Sequence, residues 1–479
     1  MQSASVDTQQ GGDGRGGRGG GALGVVGDGA FLACSWTWCI GMYLPAILLR
    51  DYGVWSFVAF ALPNCIGAAA LAWWIRSPQA SREFVATHAG AVRWFSYVTI
   101  AFQWFFAAWL VRNLGLSVWT LGAVVAGVAV YMSLPVRLMD DKPRRIVSIL
   151  VWLASAGLLA GWAITSPSDA TVAGLPTPLL NETTFANHPG SHLAPLAAVC
   201  LLGFSMSPLL DGTFHLAIQR SRSPRAAFAL GFLLLFAAMI VGTLFYGAAL
   251  VRDGASGGTS ISPAGVAWLV VFHMAMQLAF TLAAHERTVS HELAGLAMSP
   301  ARAPAAAVTG ATIAGVVLAL VATLFSANLA AVPPAKPGDV GLPTLTNTEF
   351  MYRGFMTFYG AVVPLYVLGC AMPWRGRAAG WTMQRGMVML AGLVIVVPAF
   401  YMGFIARYSA ALWIGVAAIV VVGTIAGLLR GPESRESLAD DKDAEDARVM
   451  AHPDSAASEE RSVFLGFLVK YTKRRNDKK

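Results

Sequence analysis

Between residues 30 and 429 the chain returns repeatedly to predominantly apolar runs of about 20 residues, the length a helix needs to cross the hydrocarbon core of a bilayer. Nothing else in the sequence constrains the fold as strongly. Lipid offers no hydrogen-bond partners, so backbone N–H and C=O groups must be satisfied within the segment, and such runs can only be helices. Read this way, the sequence predicts spans at 30–49, 54–75, 94–112, 116–135, 146–165, 193–218, 226–251, 263–284, 304–328, 350–371, 386–405 and 409–429. The expected fold class is an all-α polytopic membrane protein with twelve transmembrane helices. Composition agrees: 13% of residues are charged, about half the share of an ordinary soluble domain, and mean hydropathy is +0.59.

Basic residues set the expected orientation. The N-terminal tail and the loops after even-numbered spans hold Arg15, Arg18, Arg76, Arg82, Arg93, Arg137, Lys142, Arg144, Arg145, Arg220, Arg222, Arg225, Arg287, Arg302, Arg375, Arg377 and Arg385. Loops after odd spans and their flanks hold only Arg50, Arg112, Arg252, Lys336, Arg353 and Arg407. This alternation places both termini in the cytoplasm of a cell bounded by an inner membrane. It also explains the net charge of +8 as a topology signal, so no nucleic-acid partner is expected.

The ends differ from the middle. Residues 1–29 are Gly-rich and read as a disordered cytoplasmic N-terminus, 30–429 as the transporter domain, and 430–479 as a mostly disordered tail. The tail closes on "SVFLGFLVKYTKRRNDKK", an apolar patch followed by basic residues that suits anionic lipids. The five cysteines (Cys34, Cys39, Cys65, Cys200, Cys370) all fall in apolar runs and read as small core residues, not as a disulfide or zinc framework.

Polar residues at membrane depth must face protein or water, so those at helical spacing mark an interior face. Span 6 sets Asp211, His215 and Gln219 four apart; span 8 does the same with His273, Gln277, Thr281 and His285. Interhelical hydrogen bonding is the alternative for each stripe; pathway lining is the preferred reading for span 6, and the two readings stand level for span 8. Span 10 opens with Glu349, Arg353 and Thr357 at the same spacing; Glu349 before Arg353 is the favourable order for a helical ion pair, and Arg353 could instead reach for the interface. Span 3 sets Gln103 among aromatics.

Two spans carry helix breakers. Span 1 reads "CSWTWCIGMYLPAILLRDYG", with Ser35, Thr37, Gly41 and Pro45; span 6 reads "LLGFSMSPLLDGTFHLAIQRSRS", with Gly203, Ser205, Ser207 and Pro208. Proline removes an N–H and clashes with the carbonyl four residues earlier, so either span can open and free backbone groups. Spans 1 and 6 lie five spans apart and cross in opposite directions, the relation an inverted five-helix repeat produces. The expected architecture is thus a 5+5 inverted repeat with two extra C-terminal helices.

In this arrangement spans 1–10 resemble the amino acid–polyamine–organocation superfamily, the leucine-transporter-type fold. The segment "LDGTFHLAIQRSRSPRAAFALGF" is faintly similar to the sodium:solute symporter branch, where an acidic residue and a Gln-Arg pair close the sixth core helix; here these are Asp211, Gln219 and Arg220. The resemblance implies a solute site between spans 1, 3, 6 and 8, and alternating access. Sodium-coupled members place neighbouring hydroxyl residues on the eighth core helix, where this chain has only Thr281, so proton coupling through Asp211 and His215 stands beside sodium coupling.

The expected function is secondary active transport of a small organic solute, coupled to a sodium ion or a proton. Solute-facing candidates are Ser35, Thr37, Gly41, Gln103, Gly203, Ser205, Ser207, His273 and Gln277; coupling or gating candidates are Asp211, His215, Thr281, Glu349 and Arg353. The expected partners are that solute, the coupling cation and membrane lipids; no cofactor beyond a sodium ion and no metal site is expected. A major-facilitator transporter is the alternative within the class, although the loop after span 2, "RSPQASREFVATHAGAVR", lacks that family's Gly/Asp/Arg-rich motif. Outside the class stand a polytopic enzyme acting on lipid-linked substrates and a membrane sensor or scaffold. Scattered acids and histidines in the outer loops give no catalytic pattern, so the chain reads as a non-enzyme.

Overall fold

The computed structural model describes residues 20–113, 141–172, 193–256, 268–292, 305–324, 347–372, 379–406, 408 and 410–431. The fourth expected span (116–135), residues 1–19 and the C-terminal tail from 432, with its lipid-docking end, lie outside the described residues. What is described is helical throughout, and the protein is an all-α multi-pass membrane protein.

In chain order the helices are α1 (Gly20–Trp36), α2 (Cys39–Tyr52), α3 (Val54–Trp74), α4 (Pro78–Asn113) and α5 (Asp141–Thr165). Then come α6 (Leu193–Leu210, its last turn a 3-10 turn), α7 (Gly212–Arg220), α8 (Pro224–Val251), α9 (Trp268–Arg287) and α10 (Ala305–Leu324). Last are α11 (Asn347–Ala371), α12 (Met383–Ile405) and α13 (Ala411–Leu428). Eleven of the twelve expected spans therefore have helical counterparts, α1 with α2 forming the first and α6 with α7 the sixth. Helix α1 starts at Gly20, so residues 20–29 of the segment expected to be disordered belong to the first helix. The extension is anchored: Asp28 is buried and takes two bonds from Arg145, at 2.9 and 3.0 Å.

The helices pack in pairs that exchange when spans 1–5 are swapped for spans 6–10. Span 1 packs on span 7 through α1 and α8, and span 6 on span 2 through α6 and α3. Span 5 lies on span 1, and span 10 on span 6. Span 6 meets span 3 through α7 and α4, as span 1 meets span 8 through α1 and α9. The first half of span 1 (α1) lies beside the second half of span 6 (α7), so the two run antiparallel. Close backbone approach makes these pairs possible, as lipid drives no hydrophobic association and small residues let helices interlock. A Cβ on Gly67 of α3 would come within 2.8 Å of the Phe204 carbonyl on α6, and one on Gly231 of α8 within 2.8 Å of the Gly29 carbonyl on α1. Helices α12 and α13 pack on each other, and α13 lies against α11, outside that set.

Exposed residues follow the same logic. Leu62, Ile66, Leu153, Ile164, Leu234, Leu390, Val394 and Ile414 all lie on outward faces, as lipid contact requires, while Asp211, His215, Gln277 and Thr281 are fully buried. All five cysteines are buried and unbridged.

Candidate functional site

Span 1 breaks at Thr37–Trp38, where α1 and α2 meet at 54°. Pro45 is not the cause: it sits inside continuous α2. Trp38 takes an extended backbone (φ −82°, ψ 173°), and in extended chain residues two apart share a side. That brings the Trp36 and Trp38 rings to 4.4 Å. Opening the helix frees carbonyls: Trp36 O takes the Trp38 backbone N–H at 2.8 Å, and others meet side-chain donors. The Trp38 indole Nε1 donates to Ser35 O at 2.6 Å. On α9, the Thr281 hydroxyl lies 3.1 Å from Cys34 O and 3.5 Å from Thr37 O. Pro45 has a quieter effect, since its missing N–H leaves the carbonyl of Gly41 without its helical donor.

Span 6 breaks differently. Pro208 opens the 3-10 turn Ser207–Leu210, as proline at a first helical position is suited to do, and Asp211 then turns extended (ψ 108°). Asp211 caps α7: its Oδ1 accepts from Thr213 N at 2.8 Å and Thr213 Oγ1 at 2.7 Å. The freed Leu209 carbonyl lies 2.9 Å from His215 Nε2, and His215 Nδ1 lies 2.9 Å from Ser81 Oγ on α4. His215 also stacks on Phe84 of α4 at 5.2 Å. Both nitrogens of His215 are thus spent on holding the break.

The two breaks lie side by side. Between them is a small cavity of about 10 Å³ lined by Trp36, Trp38, Gly41, Asn64, Ser207 and Tyr359 among others. One water needs about that much room, so the cavity is closed to any larger solute in this conformation. Its walls are aromatic and its polar groups uncharged: Asn64 Oδ1 accepts from Trp36 Nε1 at 2.7 Å, and the Ser207 hydroxyl has no protein partner. On one side a second cavity of about 40 Å³ runs along α2, α6 and α11 past Gly203 and Tyr359 toward Phe404.

Ion pairs close both ends of the bundle. At the end holding the α2 C-terminus, Arg50 makes two bonds to Glu349, at 3.0 and 2.6 Å, and one to Asp51 at 2.8 Å. Arg353 bonds Glu349, Asp51 and the Phe404 carbonyl, tying α2, α11 and α12 together. It does not reach for the interface, being only 3% exposed. At the other end Asp28 of α1 holds Arg144 and Arg145 of α5, and Arg220 of α7 bonds Asp141 and Glu292, which also takes Arg287.

No protein-family model matches the chain, and no curated protein matches it in sequence. Among solved structures, a crystal structure of an Eremococcus coleocola manganese transporter, in complex with an aromatic bis-isothiourea substituted compound, is similar over 90% of this chain and 92% of that one. The identity is 13% and the TM-score 0.43.

The expected solute-facing residues divide. Gly41 and Ser207 line the central cavity, and Gly203 lines the second one, where a Cβ would come within 3.2 Å of the Tyr359 carbonyl. Ser35 and Thr37 turn their hydroxyls back on α1, to Leu32 O and Ala33 O, although Ser35 also meets Thr213 at 3.4 Å. The backbone of Ser205 lies against Gly67 of α3, and its half-exposed side chain lines neither cavity. Gln277 bonds Ser155 of α5 at 2.6 Å, while Gln103 and His273 are fully buried and line none of the cavities described here. Sequence reading missed Trp36, Trp38, Asn64 and Tyr359. Asn64 was legible as a polar residue inside an apolar run; the aromatics were not, because ring-rich spans usually mean packing.

Proposed function

We propose that this protein is a secondary transporter of a small, uncharged, planar organic solute, working by alternating access between the two ion-paired ends. The observation that carries this reading is the pair of antiparallel spans broken side by side, with a closed aromatic cavity between the breaks. Irregular backbone at membrane depth is tolerated where it is buried or lines a cavity, and it supplies directed carbonyls and helix ends for a solute. Trp36, Trp38 and Tyr359 would stack on the solute, and Asn64 and Ser207 would orient it through hydrogen bonds. No charged side chain lines the cavity, which disfavours a charged solute.

In the expected orientation the Arg50–Glu349–Arg353–Asp51 cluster is the outer gate, and the Asp28 and Arg220 clusters are the inner one. With both closed and the cavity collapsed, the conformation is occluded. For the coupling ion, one reading is sodium held by Cys34 O, Thr37 O and Thr281 Oγ1, the oxygens that converge at the span 1 break.

The test is thermal stability of the purified protein against nucleobases, aromatic and aliphatic amino acids, sugars and osmolytes, each in sodium and in potassium. A ligand bound only by the folded state adds about 2.7 kcal/mol at a hundredfold excess over its Kd. A shift confined to planar uncharged solutes is expected. A shift only for sugars or charged amino acids would overturn the solute class, and no shift for any compound would count against transport.

A further inference from the structure

Asp211 and His285 face each other where spans 1, 3, 6 and 8 meet. Asp211 Oδ1 is occupied by Thr213, but Oδ2 has no protein partner; His285 Nδ1 lies 3.3 Å from Ser96 Oγ, but Nε2 has none. The two unpartnered atoms are 3.8 Å apart, and both side chains are fully buried. Trp38, at the break of span 1, packs edge-on against His285 at 5.6 Å, and Phe95 of α4 stands at 6.5 Å. Each element of the broken core therefore touches this pair.

Two unpartnered polar atoms facing one buried gap call for a hydrogen between them. A neutral imidazole with hydrogen on Nε2 would fill the gap but leave the pair with a net negative charge. Among the described residues, His285 is the one ionisable group paired with Asp211. The neighbouring elements supply no cation to offset that charge. On α4, His88 bonds the Tyr366 hydroxyl at 3.0 Å and Arg93 lies beside Tyr97. On α11, Tyr359 shares a hydrogen bond with Thr99 at 2.9 Å. The α1–α2 break contributes the thiols of Cys34 and Cys39, α7 contributes His215 with both nitrogens engaged, and on α9 Glu286 and Arg287 follow His285, with Arg287 bonded to Glu292. One further proton neutralises the pair and completes its hydrogen bonding.

We propose that Asp211 and His285 together form a proton-binding site that couples the breaks of spans 1 and 6, which deepens the transport reading and rests on it. A proton arriving from water forms an O–H bond on Oδ2 that donates to Nε2, or an N–H bond on the ring that donates to Oδ2. Nothing is oxidised or reduced, and the proton returns to water when the site opens. A hydrogen bond needs about 2.8 Å, so closing the 3.8 Å gap draws His285 of α9 toward the Asp211 cap and shifts the ring that Trp38 packs on. Proton occupancy is thereby linked to the geometry of both breaks. The sequence drew attention to His215 as the histidine four residues from Asp211, but that ring is committed elsewhere; the partner comes from α9.

The test uses the full chain in lipid nanodiscs, in sodium-free buffer and without solute. Thermal stability is followed from about pH 5 to about pH 9, the range in which histidine-containing sites change charge. The wild type should show a pH-dependent step that Asp211→Asn and His285→Gln each abolish, the double variant losing no more than either single one. His215→Gln should keep the step. Asn at 211 still caps α7, so that variant retains the fold. Independently, as pH falls the wild type should gain either an infrared carboxylic-acid C=O band, for the proton on Oδ2, or an imidazolium band, for the proton on the ring, and Asp211→Asn should lack that band, a readout that needs no His285 variant to fold. An unchanged pH profile in Asp211→Asn, or a band that survives in it, overturns the proposal. In proteoliposomes, failure of every solute to accumulate while the step and the band behave as expected would sink the transport reading and leave the proton site standing. Uptake that ignores a proton gradient, in wild type and Asp211→Asn alike, would do the reverse.

Discussion

The two breaks look equivalent by position and are built in opposite ways. The break in span 6 is held chiefly from within: Asp211 caps the helix that follows it, and His215 on that helix reaches back to the freed Leu209 carbonyl. The break in span 1 has no capping side chain of its own. Its carbonyls are satisfied by the Trp38 indole and by Thr281 from another span, and the far end of α2 is held by ion pairs to α11. A self-capped break is a fixed hinge point. One completed by a neighbour can change when that neighbour moves. In the proposed transport cycle span 1 is thus the half expected to rearrange, with span 6 as its rigid counterpart.

Four substitutions probe that contrast, each read as a change in unfolding free energy of the purified protein. The largest loss is expected for Asp51→Ala, which leaves the buried Arg353 without one of its carboxylates; removing one partner of a buried pair costs about 3 kcal/mol. Asp211→Ala should cost about 2 kcal/mol, the upper end for a lost N-cap, whereas Asp211→Asn should recover most of it. Thr281→Val keeps shape but removes the donor to Cys34 O and Thr37 O, for about 1 kcal/mol, and should abolish any sodium-dependent shift. Equal losses for Asp211→Ala and Asp211→Asn would remove the self-capped side of the contrast. A Thr281→Val protein as stable as wild type, with its sodium response intact, would remove the other side.

Much of the fold was legible because its cause is one-dimensional. Apolar runs of bilayer length and the Arg-rich loops between them marked the spans, and Pro208 with its Gly and Ser neighbours marked the opening of span 6. The break of span 1 was legible in location only to within a couple of turns. Pro45 signalled it from the sequence, yet the chain opens at Thr37–Trp38, where packing of two indoles and a donor from α9 decide the matter. No local pattern encodes those contacts. The same limit explains the site: Gly41 and Ser207 stood out as breakers, whereas Tyr359 and Asn64 reach the cavity only because α11 and α3 pack there. Arg50 and Asp51 were readable as charges at a span end, but their partners Glu349 and Arg353 lie about three hundred residues away.

The central claim, that the two breaks enclose a cavity which opens to water in turn, is tested most directly by thiol accessibility. In a cysteine-free background, Ser207→Cys lines the cavity and Ser205→Cys, half-exposed on α6 at membrane depth, lies outside it. With a membrane-impermeant thiol reagent, Ser207→Cys should be labelled over time, and a solute that raises thermal stability should slow it, while Ser205→Cys stays protected throughout. Equal and complete protection at both positions, with and without solute and from both sides of the membrane, would contradict the account.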